Sequence, residues 1–305
     1  MRIALLFPGQ GAQREGFLKR LPEHAAVHDT LAEAAEILGR DPGELDDAMA
    51  LQSTVAVQLG TVIAGVAVAR ALAAEGLVAD AVAGLSAGAF TAAVACEALT
   101  LSAALPLVQL RGECMARATP KGCGMVAILG LTERDAQQLI ARVNERLPLY
   151  LASVNAPTEI VVSGEDTALA LAAQYARAAG AGARTLRVTI PSHTPLMDGV
   201  SRALREAFER SHVAAPRLPY VTNHRARIAN GGAQIEEDLI LNVSRPVRWH
   251  DSVRLLYELG CRLYIQAPPG TVLSRLVKAS CPRARSVALE ETTLASALML
   301  AHRLP

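Results

Sequence analysis

The stretch that decides the fold of this 305-residue chain is GLSAG at residues 84–88. It follows a short apolar run at residues 78–83 and precedes a run of small residues, 90–98, that predicts a helix. A serine between glycines at a strand-to-helix turn is typical of a nucleophile elbow, because a Cβ beside the serine would collide with the neighbouring strand or helix. The pattern predicts that Ser86 stands at a helix N-terminus, which favours developing negative charge.

A second glycine-rich segment, FPGQGAQ at residues 7–13, follows a strand-like run at residues 2–6. Its glycines allow the backbone to approach a ligand closely and leave the Gln10 N–H available as a donor. An ordinary Pro-Gly turn is the alternative interpretation. A lone GxSxG match is itself a weak signal, because a chain rich in glycine, alanine and serine produces such matches by chance. The two segments together favour a catalytic site.

The composition indicates a packed α/β protein. Hydrophobic residues make up 51% of the chain and aromatic residues 3%, and the formal net charge is +1. The basic residues are scattered, so neither nucleic acid nor an anionic membrane is an expected partner. The longest apolar region, residues 51–77, is interrupted by Gln52, Gln58, Arg70 and Glu75. We therefore interpret it as a buried helix and not as a membrane span.

The cysteines and the start of the chain indicate a cytoplasmic protein. The five cysteines are widely spaced, and no CxxC pair occurs among them. Neither zinc ligation nor a disulfide framework is expected, and reduced buried thiols are the simpler interpretation. The apolar run before Pro8 is too short for a signal peptide.

The order of the predicted elements indicates a domain with an insert. Strand-like and helical runs alternate along residues 1–124 and again after residue 190, which predicts an α/β domain with a largely parallel sheet. Residues 125–190 instead give the order β-α-β-β-α-β of a ferredoxin-like unit. We predict a large catalytic domain of residues 1–124 and 191–305 and an inserted subdomain of residues 125–190. Predicted elements include strands at 2–7 and 183–189 and helices at 54–74 and 101–118.

A serine nucleophile needs a base, and His193 is the best placed of the seven histidines. It lies where the chain returns from the predicted insert, so it is expected to face the cleft; a loop histidine or a helix cap is the alternative. No acidic residue stands in a suitable loop to complete a triad. A backbone carbonyl or an amide side chain is therefore expected to orient the imidazole. Asn242, shortly before the helix-breaking Pro246, is the candidate, and a plain helix C-cap is its alternative.

Arg111 lies on a largely apolar predicted helix that follows the elbow helix. A buried guanidinium is costly without an anion, and its planar fork matches a carboxylate. Two interpretations stay open, which are a carboxylate-binding residue and an internal salt bridge to an Asp or Glu. Arg245 and Arg248, expected near the cleft, leave a similar choice between an acidic partner and internal ion pairs.

Taken together, these segments resemble the malonyl-CoA:acyl carrier protein transacylases of fatty-acid synthesis. The resemblance implies a hydrolase-like large domain with a ferredoxin-like insert, in agreement with the element order. The matching segments run in family order across nearly the whole chain. They are FPGQG at 7–11, GLSAG at 84–88, Arg111-Gly112 with Met115, NAP at 155–157, PSH at 191–193, PVRW at 246–249 and PGTVL at 269–273.

Two regions depart from the fatty-acid enzymes. Their elbow usually reads GHSLGE, whereas Leu85, Ala87 and Ala89 stand here at three of those positions, and Asn242 stands where a glutamine is usual. The chain is most similar to the epsilon subunit of bacterial malonate decarboxylase, which is itself a malonyl-CoA:acyl carrier protein transacylase. This closer resemblance is carried by Ala89-Phe90, AILGL at 127–131, and Asn242 with residues 245–251.

The resemblance implies a role for each catalytic candidate. Ser86 attacks the malonyl thioester, and His193 takes its proton and returns it to the leaving thiol. The backbone N–H groups of Gln10 and Ala87 form the oxyanion hole. The main-chain carbonyl of Asn242 holds His193.

The resemblance also implies the substrates. Arg111 binds the free malonyl carboxylate of malonyl-CoA, the acceptor is the thiol of an acyl carrier protein, and no metal or bound cofactor is implied. The expected carrier is that of malonate decarboxylase, whose thiol prosthetic group is a phosphoribosyl-dephospho-coenzyme A. The alternatives are the same chemistry in fatty-acid or polyketide synthesis, a serine hydrolase or thioesterase, and an inactive docking subunit.

Overall fold

The computed structural model describes residues 2–120, 122–186 and 188–303. Its strands are β1 (Arg2–Phe7), β2 (Ala81–Gly84), β3 (Cys123–Leu129), β4 (Leu149–Ala156), β5 (Glu159–Glu165), β6 (Gly182–Thr185), β7 (Tyr220–Val221), β8 (Cys261–Gln266) and β9 (Arg285–Ala288). Its α-helices are α1 (Ala25–Leu38), α2 (Thr54–Ala74), α3 (Gly88–Ala95), α4 (Leu101–Ala118), α5 (Glu133–Asn144), α6 (Asp166–Ala178), α7 (Asp198–Phe208), α8 (Gly232–Leu241), α9 (Trp249–Glu258), α10 (Val272–Ser280) and α11 (Leu294–His302).

Five parallel strands form the larger sheet, in the order β7-β2-β1-β8-β9. The central strand β1 is a nearly continuous apolar run and is buried from its second residue onward, as expected for a parallel strand covered on both faces. Phe7 at the end of β1 pairs with Gly84 at the end of β2. The loops that follow these two strands therefore leave the same edge of the sheet side by side.

Helix α2 is buried in the main core, where it packs against α1, α3 and α4. By length and composition it is the one helix of the described residues that is apolar enough to cross a membrane, and 89% of its most apolar window is buried inside the structure. This burial agrees with the interpretation of residues 51–77 as a core helix. A helix buried on every side has no polar face, which explains why its apolar residues show no periodicity.

Four antiparallel strands form the smaller sheet, in the order β4-β5-β3-β6. Helices α5 and α6 pack on it, and side chains such as Ile128, Leu139 and Val162 form a separate core. This arrangement is the predicted ferredoxin-like unit, and the predicted fold class is confirmed. The domain limits of 1–124, 125–190 and 191–305 stay a prediction, and β3 already begins at Cys123.

Most predicted elements are present, with differences at their ends. The limits of β1, α2 and α4 are those predicted, whereas β6 ends at Thr185 and the predicted strand ran to residue 189. The pairing of β6 with β3 stops at Thr185, and Arg187 lies outside the described residues. Sequence analysis did not identify α1, β7, β9 or α11. β7 has only two residues, too few for any periodic pattern.

Ion pairs and main-chain contacts join the two sheets on one side of a cleft. Val247 forms an isolated bridge with strand β4. Arg248, just before α9, donates to both carboxylate oxygens of Glu133 on α5, at 2.6 and 2.9 Å. Arg275 on α10 does the same with Glu159 on β5, at 2.6 and 3.1 Å. These contacts fix the smaller sheet opposite the loops that follow β1 and β2.

Candidate active site

Ser86 lies in the turn between β2 and α3 with a φ of +56°, in the left-handed region that non-glycine residues rarely adopt. The turn is crowded on both sides. A Cβ on Gly84 would overlap the backbone of Gly88, and a Cβ on Gly88 would overlap the backbone at Phe7. The two glycines of the GLSAG segment are therefore required by steric contact, and the predicted sharp strand-to-helix turn at Ser86 is present.

The backbone around Ser86 leaves two N–H groups available beside the serine. The Ser86 N–H itself donates to Asn223 Oδ1 at 3.0 Å, so it is already satisfied. The N–H groups of Gln10 and Ala87 have no acceptor among the described residues, and both residues line the same cavity as Ser86. Gly9 allows this approach, because a Cβ there would lie 2.6 Å from the Leu85 carbonyl oxygen.

His193 is buried, with 5% of its surface exposed, and its φ is +64°. The backbone N–H of His193 donates to Val243 O at 2.7 Å, and its ring Nδ1 contacts the main-chain oxygen of Asn242. Because a carbonyl oxygen only accepts, Nδ1 carries the proton and Nε2 is free to accept one. Burial, followed by the positive charge of Arg111, lowers the pKa of His193 to about 4. The ring is therefore neutral near pH 7.

Arg111 is the one strongly buried arginine among the described residues, with 1% of its surface exposed. Its Nη1 donates to Gln58 Oε1 at 2.5 Å, and its Nη2 lies 3.1 Å from Ser86 Oγ and 3.3 Å from Asn242 Oδ1. Its Nε has no hydrogen-bond partner among the described residues. No described carboxylate pairs with it, which argues against the internal salt bridge. Burial lowers its pKa to about 10, so the guanidinium is still charged at neutral pH.

Asn242 ends helix α8 and contacts three parts of the site. Its carbonyl oxygen contacts the His193 ring, while its side-chain Oδ1 accepts from Arg111 and its Nδ2 lies 3.4 Å from Ser86 O. Asn242 is therefore at the C-cap position of α8, and its carbonyl also contacts the imidazole, which favours the first interpretation over a plain C-cap. The side-chain amide makes no contact with the imidazole within the described hydrogen bonds.

A cavity of about 390 Å³ brings the candidates together. Ser86, Ala87, Gln10, Arg111 and His193 all line it. Strands β3, β4 and β5 of the smaller sheet form the opposite wall, and the start of α10 also contributes. No hydrogen bond joins the side chains of Ser86 and His193 among the described residues; Ser86 Oγ is instead held by Arg111.

Three residues of the site were not identified from the sequence. Gln58 accepts from Arg111, Asn223 accepts from Ser86, and Asp238 in turn holds the Asn223 backbone and side chain, with N–O distances of 2.7 and 3.3 Å. A polar residue such as Gln58 inside an apolar run was a usable signal, because buried amides need partners. Nothing in the sequence alone links residue 223 to residue 86.

The two arginines near the cleft form internal ion pairs. Arg245 pairs with Asp198 at 2.7 Å, and Arg248 pairs with both Glu133 and Asp251. Hydrogen bonding to Glu133 is the main cause that raises the pKa of Arg248. The ion-pair interpretation of these residues is confirmed.

The part of the chain that the structure describes contains no group of three or more His, Cys, Asp or Glu side chains able to hold a metal ion. All five cysteines are free thiols, and four of them are buried. Burial raises the pKa of Cys96 and of Cys261 to about 11, so these thiols stay protonated and unreactive at neutral pH.

The parallel sheet, the elbow serine and the buried histidine and arginine define an acyl-transferring enzyme of the α/β class. Residues 4–296 match the acyl transferase domain family, and the chain belongs to that family. The resemblance seen in the sequence is thus confirmed at the level of the family.

Several relatives of the chain are named malonyl CoA-acyl carrier protein transacylase. The chain is 35% identical to the enzyme of that name from Bacillus subtilis, and the match covers 95% of this chain and 94% of the relative. It is 32% identical to the one from Escherichia coli K12, and that match covers 98% of this chain and 99% of the relative. An acyl-carrier-protein S-malonyltransferase of Burkholderia pseudomallei superposes with a TM-score of 0.93 at 32% identity, over 99% and 100%. A malonyl-transacylase solved in complex with a type II polyketide acyl-carrier protein superposes with a TM-score of 0.93 at 30% identity. The match covers 98% of this chain and 100% of that one.

Proposed function

We propose that this enzyme transfers a malonyl group from malonyl-CoA to the thiol of an acyl carrier protein through an ester on Ser86. The observation that carries the proposal is the buried Arg111, which has no carboxylate partner among the described residues and lies 3.1 Å from Ser86 Oγ. A cation placed beside a nucleophile suits an acyl group that has a second, free carboxylate. The names of the relatives support the same substrates.

In the first half-reaction, Ser86 Oγ attacks the thioester carbonyl while His193 Nε2 accepts the hydroxyl proton. The resulting oxyanion accepts hydrogen bonds from the N–H groups of Gln10 and Ala87. The imidazolium is stabilised through Nδ1 by the Asn242 carbonyl, and it returns the proton to the coenzyme A thiolate as the C–S bond breaks. The product is a malonyl ester of Ser86.

In the second half-reaction the carrier thiol attacks the ester, and the same groups act in reverse. His193 takes the thiol proton and then protonates Ser86 Oγ as the C–O bond breaks. Both halves use one site, so the steady-state kinetics should be ping-pong. No bound cofactor takes part in either half.

Arg111 supplies the preference for malonyl over acetyl. Two of its five N–H donors, Nε–H and one on Nη1, have no partner among the described residues, and the donors on Nη2 can move from Ser86 Oγ to a carboxylate. An acetyl group leaves this buried cation unpaired. The difference should be worth roughly 3–5 kcal/mol, or about two to four decades in rate.

We propose further that the carrier is the acyl carrier subunit of malonate decarboxylase and that the enzyme acts in the cytoplasm. The segments at 89–90, 127–131 and 245–251 support the carrier assignment, and the free, high-pKa thiols support the compartment. The other candidate is a carrier of fatty-acid or polyketide synthesis, which the names of the relatives favour. Comparing transfer rates to a carrier with a phosphoribosyl-dephospho-coenzyme A group and to one with a phosphopantetheine arm decides between them.

The test of the proposed chemistry is the intact mass of the protein after mixing with malonyl-CoA and, separately, acetyl-CoA. We expect a malonyl adduct on the wild type, none on Ser86→Ala, and a weakened malonyl preference in Arg111→Ala. The matched control is Arg70→Ala, which removes a partly exposed arginine paired with Glu33. Rapid malonate release without a carrier would instead indicate a hydrolase, and no adduct with no turnover would indicate a docking subunit.

A further inference from the structure

We propose that Thr54 and Gln58, both on helix α2, are positioning residues that couple the Arg111 guanidinium to the loop carrying the Gln10 N–H and thereby set acyl-group specificity. The inference rests on the proposed function, because it assigns the cation to the malonyl carboxylate and the N–H to the oxyanion. Neither residue is placed at the reacting atoms; they act through Arg111 and Gln10.

The observation is an unbroken chain of three side-chain hydrogen bonds. Arg111 Nη1 donates to Gln58 Oε1 at 2.5 Å, Gln58 Nε2 donates to Thr54 Oγ1 at 2.9 Å, and Thr54 Oγ1 donates to Gln10 Oε1 at 2.9 Å. The direction of the first two bonds is fixed, because a guanidinium can only donate. Gln58 must therefore accept with its oxygen, which leaves its amide nitrogen to donate, and the Thr54 hydroxyl hydrogen is directed to Gln10.

Two of the three bonds are buried, and the two middle residues lie on the buried helix α2. Gln58 has no exposed surface, Thr54 has 8% exposed, and the two residues are one turn apart on the same face of α2. Inside the core, a donor or acceptor that loses its partner pays the full cost of its desolvation, so the bonds are kept together. Gln10, at the other end, lies on a loop and is only partly buried. Helix α2 thus fixes the position of the Gln10 loop relative to the Arg111 guanidinium.

This geometry fixes the distance between the group that binds the carboxylate, Arg111, and the group that binds the oxyanion, the Gln10 N–H. A malonyl carboxylate on Arg111 and a carbonyl oxygen at the Gln10 N–H belong to the same acyl group, so a small shift of either end misplaces the other. Loss of the coupling should lower the rate of malonyl transfer to Ser86 more than the affinity for malonyl-CoA. Acetyl transfer, which does not use Arg111, should be less affected.

The central variant is Thr54→Val, which keeps the side-chain volume and breaks the chain of bonds in the middle. We expect the acylation rate with malonyl-CoA to fall about tenfold, with KM nearly unchanged and the malonyl-to-acetyl ratio reduced. Thr54→Ser keeps the hydroxyl and should restore most of the rate. The matched control is Thr61→Val on the same helix, because Thr61 is 1% exposed and its hydroxyl has no partner among the described residues.

A second variant, Gln58→Glu, tests the same coupling from the other side. A carboxylate at residue 58 pairs with Arg111 within the protein and stops donating to Thr54, so it competes with the malonyl carboxylate. We expect the preference for malonyl over acetyl to fall by about ten- to a hundredfold. This variant retains a polar side chain of the same size, so it also serves if Thr54→Val folds poorly.

The measurement is single-turnover formation of the acyl-enzyme, followed by intact mass, with folding checked by thermal unfolding. Slower malonyl transfer in Thr54→Val than in Thr61→Val, with rescue by Thr54→Ser, supports the inference. Equal rates in the two valine variants, or an equal loss with acetyl-CoA, overturn it and leave the proposed function intact. A wild type that forms no malonyl adduct overturns both.

Discussion

At the scale of single residues, electrostatics set the state of the site. The neutral His193 and the charged Arg111 are both buried against one cavity, and burial, followed by the charge of the arginine, keeps a proton off the imidazole. A base that is neutral near pH 7 is ready to accept the Ser86 proton without first losing one of its own. In the proposed mechanism Arg111 thus binds the carboxylate and also contributes, after burial, to the neutral state of the base.

The pH dependence of acylation should follow the lowered pKa of His193. The base works only when deprotonated, so the rate should rise with pH through about 4 and be constant from about pH 5.5 to 8. A pH–rate profile of acylation measures this. In Arg111→Ala the midpoint should move upward, because the neighbouring positive charge is removed while burial remains. A wild-type midpoint near 6.5 would contradict the assignment.

The same residue should affect stability at acid pH. The folded pKa of His193 lies below the ordinary value of 6.5, so the unfolded chain binds the extra proton first. The stabilising contribution is complete above pH 6.5 and is lost as the pH falls toward 4, by up to about 3 kcal/mol. Denaturant unfolding of wild type and His193→Gln at pH 7 and pH 4.5 should show a smaller loss in the variant. His28→Gln, at an exposed site, is the control.

At the scale of elements, the β2–α3 turn is the part that the glycines determine. Gly84 and Gly88 let the helix start against the ends of β1 and β2, and Ser86 takes the strained conformation between them. Strain of this kind persists only when surrounding bonds hold it in place. Here the Ser86 N–H donates to Asn223, which the buried Asp238 holds.

Gly84→Ala should unfold or severely destabilise the protein. The new Cβ would overlap the backbone of Gly88, which cannot move without displacing the helix, so we expect a loss of more than about 3 kcal/mol. Gly199→Ala in helix α7 is the matched control. Nothing lies within 4 Å of its Cβ position, and alanine there should be neutral or stabilise by about 0.5–1 kcal/mol. Urea unfolding of both variants measures the difference.

Asn223→Ala should remove the hydrogen bond that holds the Ser86 backbone in the turn. The Ser86 N–H then loses its acceptor in a partly buried place, at a cost of about 1–3 kcal/mol in unfolding free energy. We also expect acylation to slow by at least about tenfold, because the serine backbone is no longer held. Unfolding and single-turnover acylation are compared with Asn230→Ala, an exposed asparagine in the loop before helix α8. Wild-type acylation in Asn223→Ala would show that the contact is dispensable.

At the scale of the whole molecule, the cavity exists because two sheets are held together. The larger sheet supplies the loops with Gln10 and Ser86, and the smaller sheet supplies the opposite wall. The Arg275–Glu159 and Arg248–Glu133 pairs link the two. Burial raises the pKa of Glu159, but the hydrogen bonds and charge of Arg275 outweigh it, and the net pKa is below the usual carboxyl range.

The Arg275–Glu159 pair should contribute measurably to stability. Glu159 is buried but Arg275 is half exposed, so we expect a coupling of about 1–2 kcal/mol from a double-mutant cycle of Arg275→Ala and Glu159→Gln. Because the Glu159 pKa is lowered, this contribution is present above the ordinary carboxyl pKa and is lost as the pH falls through the lowered one. The exposed Arg254–Glu258 pair is the control and should give about 0.3–0.5 kcal/mol.

The sequence by itself determined the features that depend on a few neighbouring residues. The steric demand of two glycines predicted the elbow, and apolar patterns predicted β1, α2 and α4 with their observed limits. The order of strands and helices predicted the ferredoxin-like unit. The short segments also indicated the family.

Only the tertiary structure decided which groups meet in the site. The bonds that define it join residues far apart in the chain, with separations of 49 residues for His193 and Asn242, 53 for Arg111 and Gln58, and 137 for Ser86 and Asn223. The sequence left open whether the carbonyl or the amide of Asn242 orients the histidine and whether an acid pairs with Arg111. Local propensity contains no information about such pairs, because their partners are brought together only when the helices and loops around the larger sheet pack.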